Sequence, residues 1–287
     1  MPRLVAAAVA AMKLQLVAPR QGLVWVRRAF RVCARQPLGF AALFATCMFV
    51  VLLLGIVPVV GTVVLLALPP AGSLLFMIAS RRVVEGRTAM PGSIAELAAS
   101  GRPRLVALVK LGIAYAAATF VLFWIAGVLD GGALASFLSS PPDERTTGEQ
   151  AVTRLADPRL QLGLIVRLAF AAALSVPFWH APALVHWGGH GWTKSLFFSS
   201  VAVWRNKGAF IVYSIAWLAL WMLLLPIISI AVGVLGPQRF AIVATPVLLA
   251  YLTLFYASLW FTFADCFSSD DAAPARDAVD STDSLHR

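Results

Sequence analysis

Two long stretches without a charged residue lie near the end of the chain, and they restrict its fold more than any other feature. Residues 209–233 and 240–264 contain no Asp, Glu, Lys or Arg, and a turn-forming tetrapeptide at 236–239 lies between them. A helix rises ~1.5 Å per residue, so ~20 apolar residues cross the ~30 Å hydrocarbon core of a bilayer. Inside hydrocarbon every backbone N–H must be paired within its own segment, which a helix achieves. The two stretches therefore predict a transmembrane helical hairpin with a tight turn.

The same plan recurs upstream and predicts an all-α polytopic integral membrane protein. The chain is 60% hydrophobic and only 13% charged, whereas average soluble domains are ~25% charged. This composition excludes a soluble core. We expect six transmembrane helices arranged as three hairpins, each entered by a cytoplasmic amphipathic approach helix. The predicted spans are 38–60, 62–80, 105–128, 160–187, 209–235 and 240–266.

Both ends of the chain are predicted to lie outside the membrane domain, which covers residues 12–267. Residues 1–11 have three interpretations: a short signal peptide, a misannotated and dispensable extension before a true start at Met12, or a frayed helix. Residues 268–287 combine five Asp with Ala, Pro and Ser. Such a composition cannot bury enough apolar surface to fold, so we expect a disordered acidic tail.

The distribution of positive charge predicts the orientation in the membrane. The net charge of +10 invites a nucleic-acid interpretation, but the cations sit in short segments that flank apolar stretches, as the positive-inside rule describes. Seventeen Lys and Arg fall in the segments assigned to the cytoplasm, and four fall in those assigned to the opposite side. We therefore predict a multi-pass protein of the bacterial inner membrane, with both termini cytoplasmic and no nucleic-acid partner.

Residues 15–36 and 192–207 predict two basic amphipathic helices that lie in the lipid headgroup layer. One face of the first helix collects apolar residues at helical spacing: Leu23, Val26, Phe30 and Cys33. Trp25 is expected in the interfacial aromatic belt. The candidate lipid-headgroup contacts are the cations Arg27, Arg28, Arg31, Arg35, Lys194, Arg205 and Lys207. They favour either a plain orientation anchor or recognition of anionic lipids.

An ionisable residue inside a span is a functional-site hypothesis. The candidate intramembrane polar site consists of Arg167, His180, Pro182 and His186. Arg167 either binds an anionic substrate or extends outward to pair with Asp130 or Asp157. Pro69-Pro70 break the second predicted span because neither can donate a helix hydrogen bond. The break is either a kink tolerated among neighbouring helices or a discontinuous helix of the kind that forms transporter binding sites.

The motifs do not favour a metal, a cofactor or catalysis. Cys33, Cys47 and Cys266 are odd in number and have no paired spacing, which argues against a disulfide framework and a zinc site. His186 and His190 are four residues apart, but two glycines lie between them, and no Cys or carboxylate is near in sequence to complete a metal shell. No hydrolase or nucleotide-binding motif is present. We therefore predict no catalytic residue, no metal and no cofactor.

An internal repeat is also predicted. Residues 35–40 and 205–210 align, each at the end of an approach helix and the start of a span, and 101–104 opens the third span in a similar way. Three units entered from the same side would be parallel repeats about an axis near the membrane normal.

The stretches 25–40, 181–185, 196–199 and 204–210 resemble an uncharacterised family of proteobacterial inner-membrane proteins with six spans. The most specific part is the run Trp204-Arg205-Asn206-Lys207. The resemblance covers about residues 12–268, and family members begin near the position of Met12. The family is more distantly similar to the membrane domain fused to some glycerophosphodiester phosphodiesterases. The resemblance implies a six-span inner-membrane protein, but it implies no activity, ligand or catalytic residue.

Three function classes follow from these features. The favoured one is a non-enzymatic membrane module that interacts with lipid, acts as a scaffold or serves as a partner subunit. The alternative is a transporter or channel for small solutes, and the least favoured is an intramembrane enzyme. The expected partner is the lipid bilayer, with anionic lipids included, while a protein partner or a homo-oligomer is left open.

Overall fold

The computed structural model describes residues 13–139, 156–235 and 240–268. The N-terminal extension, the tight turn at 236–239 and the acidic tail after Ser268 were predicted above, and they lie outside these residues. Twelve helices and one short ladder form the described fold. The helices are α1 Gln21–Arg35, α2 Pro37–Gly55, α3 Val60–Ala67, α4 Pro69–Val84, α5 Gly92–Ala98, α6 Arg102–Leu129, α7 Ala133–Ser139, α8 Pro158–Phe178, α9 Ala181–His186, α10 Trp192–Arg205, α11 Lys207–Leu235 and α12 Phe240–Cys266. Strands β1 Lys13–Leu14 and β2 Phe267–Ser268 pair antiparallel.

The prediction of an all-α polytopic membrane protein is confirmed. Among the described residues, five helical segments are long and apolar enough to cross a membrane, and there are six if the bent pair α3–α4 counts as one span. The bend of 44° in that pair falls where the sequence predicts it, at Pro69-Pro70. The fourth span is continuous through α8 and then passes through a short break at 179–180 into α9.

The three approach helices α1, α5 and α10 are arranged in a cyclic order. Helix α5 packs on α4 of the first hairpin, and α10 packs on α8 and α9 of the second. Helix α1 closes the circle because it packs mainly on α11 and α12 of the third hairpin. Each approach helix therefore packs on the preceding unit, and α1 packs on the last one. The parallel repeat stays a prediction.

The core is concentrated at one end of the bundle. We call this end the terminal half; it holds α1, α5, α9, α10 and the adjoining ends of the spans. Its centre is a cluster of aromatic rings. Trp25, Trp179, Phe210 and Tyr213 contact each other with ring centroids 5.3–5.9 Å apart in four of the pairs. Large aliphatic side chains such as Leu43, Met77 and Leu184 are fully buried in the terminal half or beside it.

The other end, the hairpin half, holds residues 56–59, α7 and the far ends of the spans. Its side chains mostly face outward. Leu168 of α8 and Ile230 of α11 are 72% and 68% exposed, and Phe120 and Trp124 of α6 are similarly exposed. The surface of the helices here is covered by exposed apolar side chains, which suit contact with lipid.

The start of α1 differs from the prediction. Helix was expected from residue 15, but α1 begins at Gln21. Residues 15–20 form no regular helix because Pro19 disfavours the helical conformation in the residue before it. The Val17 amide N–H instead donates to Asn206 Oδ1 at 2.9 Å. This segment continues β1, and the pairing of β1 with β2 ties the two described ends together.

Candidate functional site

The outward face of α10 carries a basic and aromatic surface. Its inward face is small and polar, since Ser195, Ser199 and Ala202 are buried. The opposite face exposes Phe197 and Trp204, at 63% and 73%. Three exposed cations accompany these rings: Lys194, Arg205 and Lys207. Lys207 Nζ lies 5.4 Å from the centre of the Trp204 ring and Lys194 Nζ lies 5.7 Å from that of Phe198, both within cation–π range.

Helix α1 carries exposed residues of the same kinds. Leu23, Arg27, Phe30 and Arg35 are exposed, so cations and apolar side chains alternate on its outward face. Together with the exposed face of α10, they form what we call the basic surface. The prediction that Trp25 lies in an interfacial belt is wrong, because Trp25 is fully buried. The face of α1 that packs on the protein is made by Gly22, Trp25, Ala29 and Val32.

Arg28 differs from the other predicted headgroup cations. Its Nη1 lies 3.3 Å from Asp265 Oδ2, and its side chain is only 11% exposed. Asp265 also accepts hydrogen bonds from Gln21 Nε2 at 2.5 Å and from Trp25 Nε1 at 2.8 Å. These three donors of α1 converge on one carboxylate of α12 and fix the helix against the bundle. Asp265 lies at the end of the last span, and nothing near it in sequence indicated its partners.

Asn206 fixes the other side of the same region. Its Nδ2 donates to the carbonyl of Gln15 at 3.0 Å and to that of Ala202 at 3.1 Å. With the Val17 N–H on its Oδ1, the amide joins the end of α10 to the N-terminal segment. The residue lies in the run that carries the family resemblance, and its role here is to hold the end of α10 against the segment that precedes α1.

Arg167 pairs with Asp130, one of the two acids proposed for it. Arg167 Nη1 lies 2.6 Å from Asp130 Oδ2, and the carboxylate is fully buried. Gly163 makes this possible, since a Cβ there would overlap both groups. Burial of Asp130 opposes its ionisation, but hydrogen bonds from Arg167 and from the Gly132 N–H outweigh that effect. The pKa of Asp130 is therefore lowered.

His180 and Pro182 are core residues of the terminal half. His180 is fully buried among the rings of Phe210, Phe263 and Phe267. Its Nε2 lies 3.2 Å from Thr262 Oγ1 and its backbone N–H donates to Ser199 Oγ. Pro182 is buried in the first turn of α9. This environment joins α9, α10 and α12.

His186 contacts residues that sequence reasoning did not connect with it. Its Nδ1 lies 2.9 Å from Ser100 Oγ, and its Nε2 lies 3.8 Å from Glu96 Oε1. Glu96 in turn pairs with Arg82 at 3.4 Å. Ser100 Oγ also donates to the Leu97 carbonyl at 2.6 Å, so its proton is engaged at the end of α5. The cluster joins α5 to α9 and does not present a free nucleophile.

The four members of the predicted intramembrane site therefore occupy three separate environments. Arg167 lies in the hairpin half, His180 and Pro182 lie in the aromatic core, and His186 lies against α5. In the described ranges no group of three His, Cys, Asp or Glu side chains converges to hold a metal. The predicted absence of a metal and a cofactor stays a prediction.

The apolar spans, joined by buried hydrogen bonds and ion pairs, define this molecule as a polytopic membrane protein. The chain belongs to the same family as a probable inner membrane protein of Burkholderia thailandensis, to which it is 31% identical over 258 residues, 89% of this chain and 94% of the relative. No family model matches the chain, and no solved structure matches it. The chain is thus a multi-pass inner-membrane protein. Its more distant similarity to a phosphodiesterase membrane domain stays a prediction.

Proposed function

We propose that this protein is a non-enzymatic membrane module that binds anionic lipid through the basic surface of α1 and α10. The observation that carries the proposal is the exposed ring of Trp204 at the end of α10, which has Lys207 Nζ 5.4 Å from its centre and the exposed Arg205 as its neighbour in sequence. Exposed aromatic side chains suit the headgroup level of a bilayer, and the cations beside them suit lipid phosphates. The approach helices then lie in the cytoplasmic headgroup layer with both termini on that side.

The energy available at such a surface is sufficient for selectivity. Each Lys or Arg near an anionic membrane surface contributes ~1 kcal/mol. The three exposed cations Lys194, Arg205 and Lys207 therefore favour an anionic over a zwitterionic headgroup by ~3 kcal/mol, roughly a hundredfold in affinity. The rings add contact with the bilayer that does not depend on charge. They therefore determine how deeply the surface sits in the headgroup layer, and the cations determine which headgroup it prefers.

The test is a thermal-shift comparison of purified protein in mild detergent, with phosphatidylglycerol or phosphatidylcholine added. A ligand that binds only the folded form raises stability as RT ln(1 + [L]/Kd). We expect a larger shift with phosphatidylglycerol, and we expect the triple variant Lys194→Gln, Arg205→Gln, Lys207→Gln to remove the difference. Adding salt should weaken the shift, because exposed charges are screened.

The chain offers a matched control at its other end. Arg159 is an exposed cation in the first turn of α8, so Arg159→Gln should leave the anionic preference intact while Arg205→Gln reduces it. Equal shifts with both lipids, or equal effects of Arg205→Gln and Arg159→Gln, would contradict the proposal.

Transport of a small solute is the second candidate. It is supported by the broken span α3–α4 and by Arg167, whose Nε is buried without a hydrogen-bond partner. Such polar groups within a span are the usual components of a transporter site. If a panel of small anions produced a thermal shift that Arg167→Gln removed, transport would replace lipid binding as the main proposal.

A further inference from the structure

The hairpin half contains a groove that the proposed function does not use. It runs between α6 and α8, has a volume of ~460 Å³, and every residue that lines it is apolar. The groove exists because small side chains line it, namely Ala117 and Ala118 on α6 and Ala173 on α8. Pro177 lines its end nearest the terminal half. Its volume falls within the range of small-molecule sites in proteins, ~300–1,000 Å³.

The groove and the turn of α8 that leads from it to Arg167 together match one leaflet of a bilayer. The groove is lined on α8 from Phe170 to Pro177, which is ~10 Å at ~1.5 Å per residue, and Arg167 lies about one turn beyond Phe170. From Arg167 to Pro177 the helix advances ~15 Å, and half of the ~30 Å hydrocarbon core is also ~15 Å. This stretch therefore has the depth of a single acyl chain and follows the helices that cross the bilayer.

Arg167 forms a polar end beside the groove on the hairpin side. It lines a second pocket of ~80 Å³ that runs alongside the groove and shares the walls Leu122, Phe170 and Leu174 with it. Arg167 Nε is buried at this wall and has no hydrogen-bond partner among the described residues. An unpaired buried polar atom is costly, about 1–3 kcal/mol. An acceptor oxygen placed beside Nε would satisfy the guanidinium N–H.

The charge at this end selects a neutral acceptor. Arg167 is already paired with the fully buried carboxylate of Asp130, so the pair has no net charge. A second anion would compete with Asp130 and would have to lose its own hydration. A neutral carbonyl can accept from Nε without disturbing the pair.

We propose that the α6–α8 groove binds one acyl chain of a phospholipid from the leaflet on the hairpin side, with the ester carbonyl of that chain accepting from Arg167. The chain lies along the three alanines and ends near Pro177. The site is separate from the basic surface, which contacts headgroups at the other end of the molecule.

The first experiment uses the intact protein in lipid nanodiscs and a phosphatidylcholine probe with a photoreactive diazirine in mid-chain. Crosslinked peptides are mapped by mass spectrometry. We expect crosslinks concentrated on residues 117–122 and 170–177. When unlabelled lipid is added in increasing amounts, labelling of α2 and α11 should be lost first, and the crosslinks in the groove should persist. Crosslinks spread in proportion to exposure over all spans would mean annular lipid only, and they would overturn the proposal.

The second experiment fills the groove. Ala173→Phe places a ring where the chain would lie, whereas Ala172→Phe makes the same change on the exposed neighbouring position, which does not line the groove. Native mass spectrometry during detergent delipidation should show one retained phospholipid in wild type and in Ala172→Phe. Its retention should fall about tenfold in Ala173→Phe, the change produced by ~1.4 kcal/mol. Equal retention in the two variants would contradict the proposal.

Arg167→Lys tests the polar end. A lysine keeps the positive charge beside Asp130 but lacks the Nε donor. We expect weaker retention of a diester phospholipid and unchanged retention of an ether-linked analogue, which has no carbonyl to accept the bond. If the ester and ether lipids respond alike, the carbonyl contact is refuted. Each variant should elute as a single folded species, which shows that lower lipid retention is not caused by misfolding.

Discussion

The two halves of the molecule share the same helices but are held together differently. In the terminal half, Trp25, Tyr213 and His180 are essentially buried and tied by side-chain hydrogen bonds to other helices. In the hairpin half, large apolar side chains such as Leu168 and Ile230 point outward, and the Arg167–Asp130 pair is a rare polar link. One end is therefore a packed core, while the other is a set of lightly joined helices.

The difference follows from the solvent on each side. Lipid is as apolar as Leu, so helices inside the hydrocarbon gain little from hiding apolar surface, and packing and hydrogen bonds must join them. The polar ties of this chain lie mainly where the approach helices meet the spans. The tertiary structure should accordingly depend most on residues near the headgroup level.

The largest expected effect comes from Asp265→Asn, which weakens the convergence of Gln21, Trp25 and Arg28 on one carboxylate. Three donors then lose a charged acceptor at once, whereas one side chain does at Asp130, and each hydrogen bond to a charged group contributes ~1.5–3 kcal/mol. The loss should therefore be ~3–5 kcal/mol. Thermal unfolding in mild detergent should show this loss. Asp157→Asn is the control in the hairpin half, since Asn also caps a helix well and the change should stay within ~0.5 kcal/mol. Similar losses in the two variants would remove the contrast between the halves.

Asp130→Asn tests the main polar link of the hairpin half. A hydrogen bond to a charged group contributes ~1.5–3 kcal/mol, so the variant should be destabilised by about that amount at pH 7. Because the folded pKa of Asp130 is lowered, its contribution is present above the unfolded value of ~3.9 and is lost as pH falls through the folded value. The difference between wild type and variant should therefore shrink in melts below about pH 4. A difference that grows in acid would contradict the pairing.

Gly22→Ala and Gly127→Ala make the same change in the two halves. A Cβ at Gly22 would overlap the backbone of Ala209 and Tyr213, whereas nothing lies within 4 Å of a Cβ at Gly127. Overpacking costs ~1–3 kcal/mol, while an unhindered Gly→Ala change in a helix gains up to ~1 kcal/mol. The melting temperatures should move in opposite directions. A stabilised Gly22→Ala would mean that α1 does not pack on α11 as described.

Labelling of the Cys33 thiol measures how tightly α1 packs in the terminal half, and it needs no substitution in α1 itself. Burial raises the pKa of its thiol to about 12, so at pH 8 only ~10⁻⁴ of it is the reactive thiolate. With Cys47 and Cys266 changed to Ala, maleimide labelling should be slow until detergent denaturation. Ser139→Cys, at an exposed position of α7, should label rapidly in the folded protein. Fast labelling of Cys33 would show that α1 detaches readily.

Much of the fold could be predicted, because span-forming stretches are long and uncharged. The break at Pro69-Pro70 followed from proline chemistry. For Arg167 the scarcity of acids near that end left Asp130 and Asp157 as candidate partners beside an anionic substrate, and the structure pairs it with Asp130. What could not be predicted was which face of α1 meets protein. Hydropathy cannot separate a lipid-facing Leu23 from a protein-facing Trp25, since both environments accept apolar side chains.

The missed contacts of the site have a similar cause. Asp265 lies 240 residues from Trp25, and Ser100 lies 86 residues from His186. No local pattern connects such pairs, and the cyclic order of the approach helices brings them together. A single sequence can indicate that Arg28 is one of several cations on a helix, but not that its side chain turns inward to Asp265.

The docking of α1 on the last hairpin also has a consequence for biosynthesis. Gln21 emerges from the ribosome 244 residues before its partner Asp265, a delay of roughly 12–50 s at ~5–20 residues per second. During that time α1 can contact the membrane surface, but α12, one of the two helices on which it finally packs, is not yet complete. Assembly can finish only when the newest helix returns to the oldest, so the completed hydrogen bonds to Asp265 mark a chain that has been synthesised and inserted through its last span.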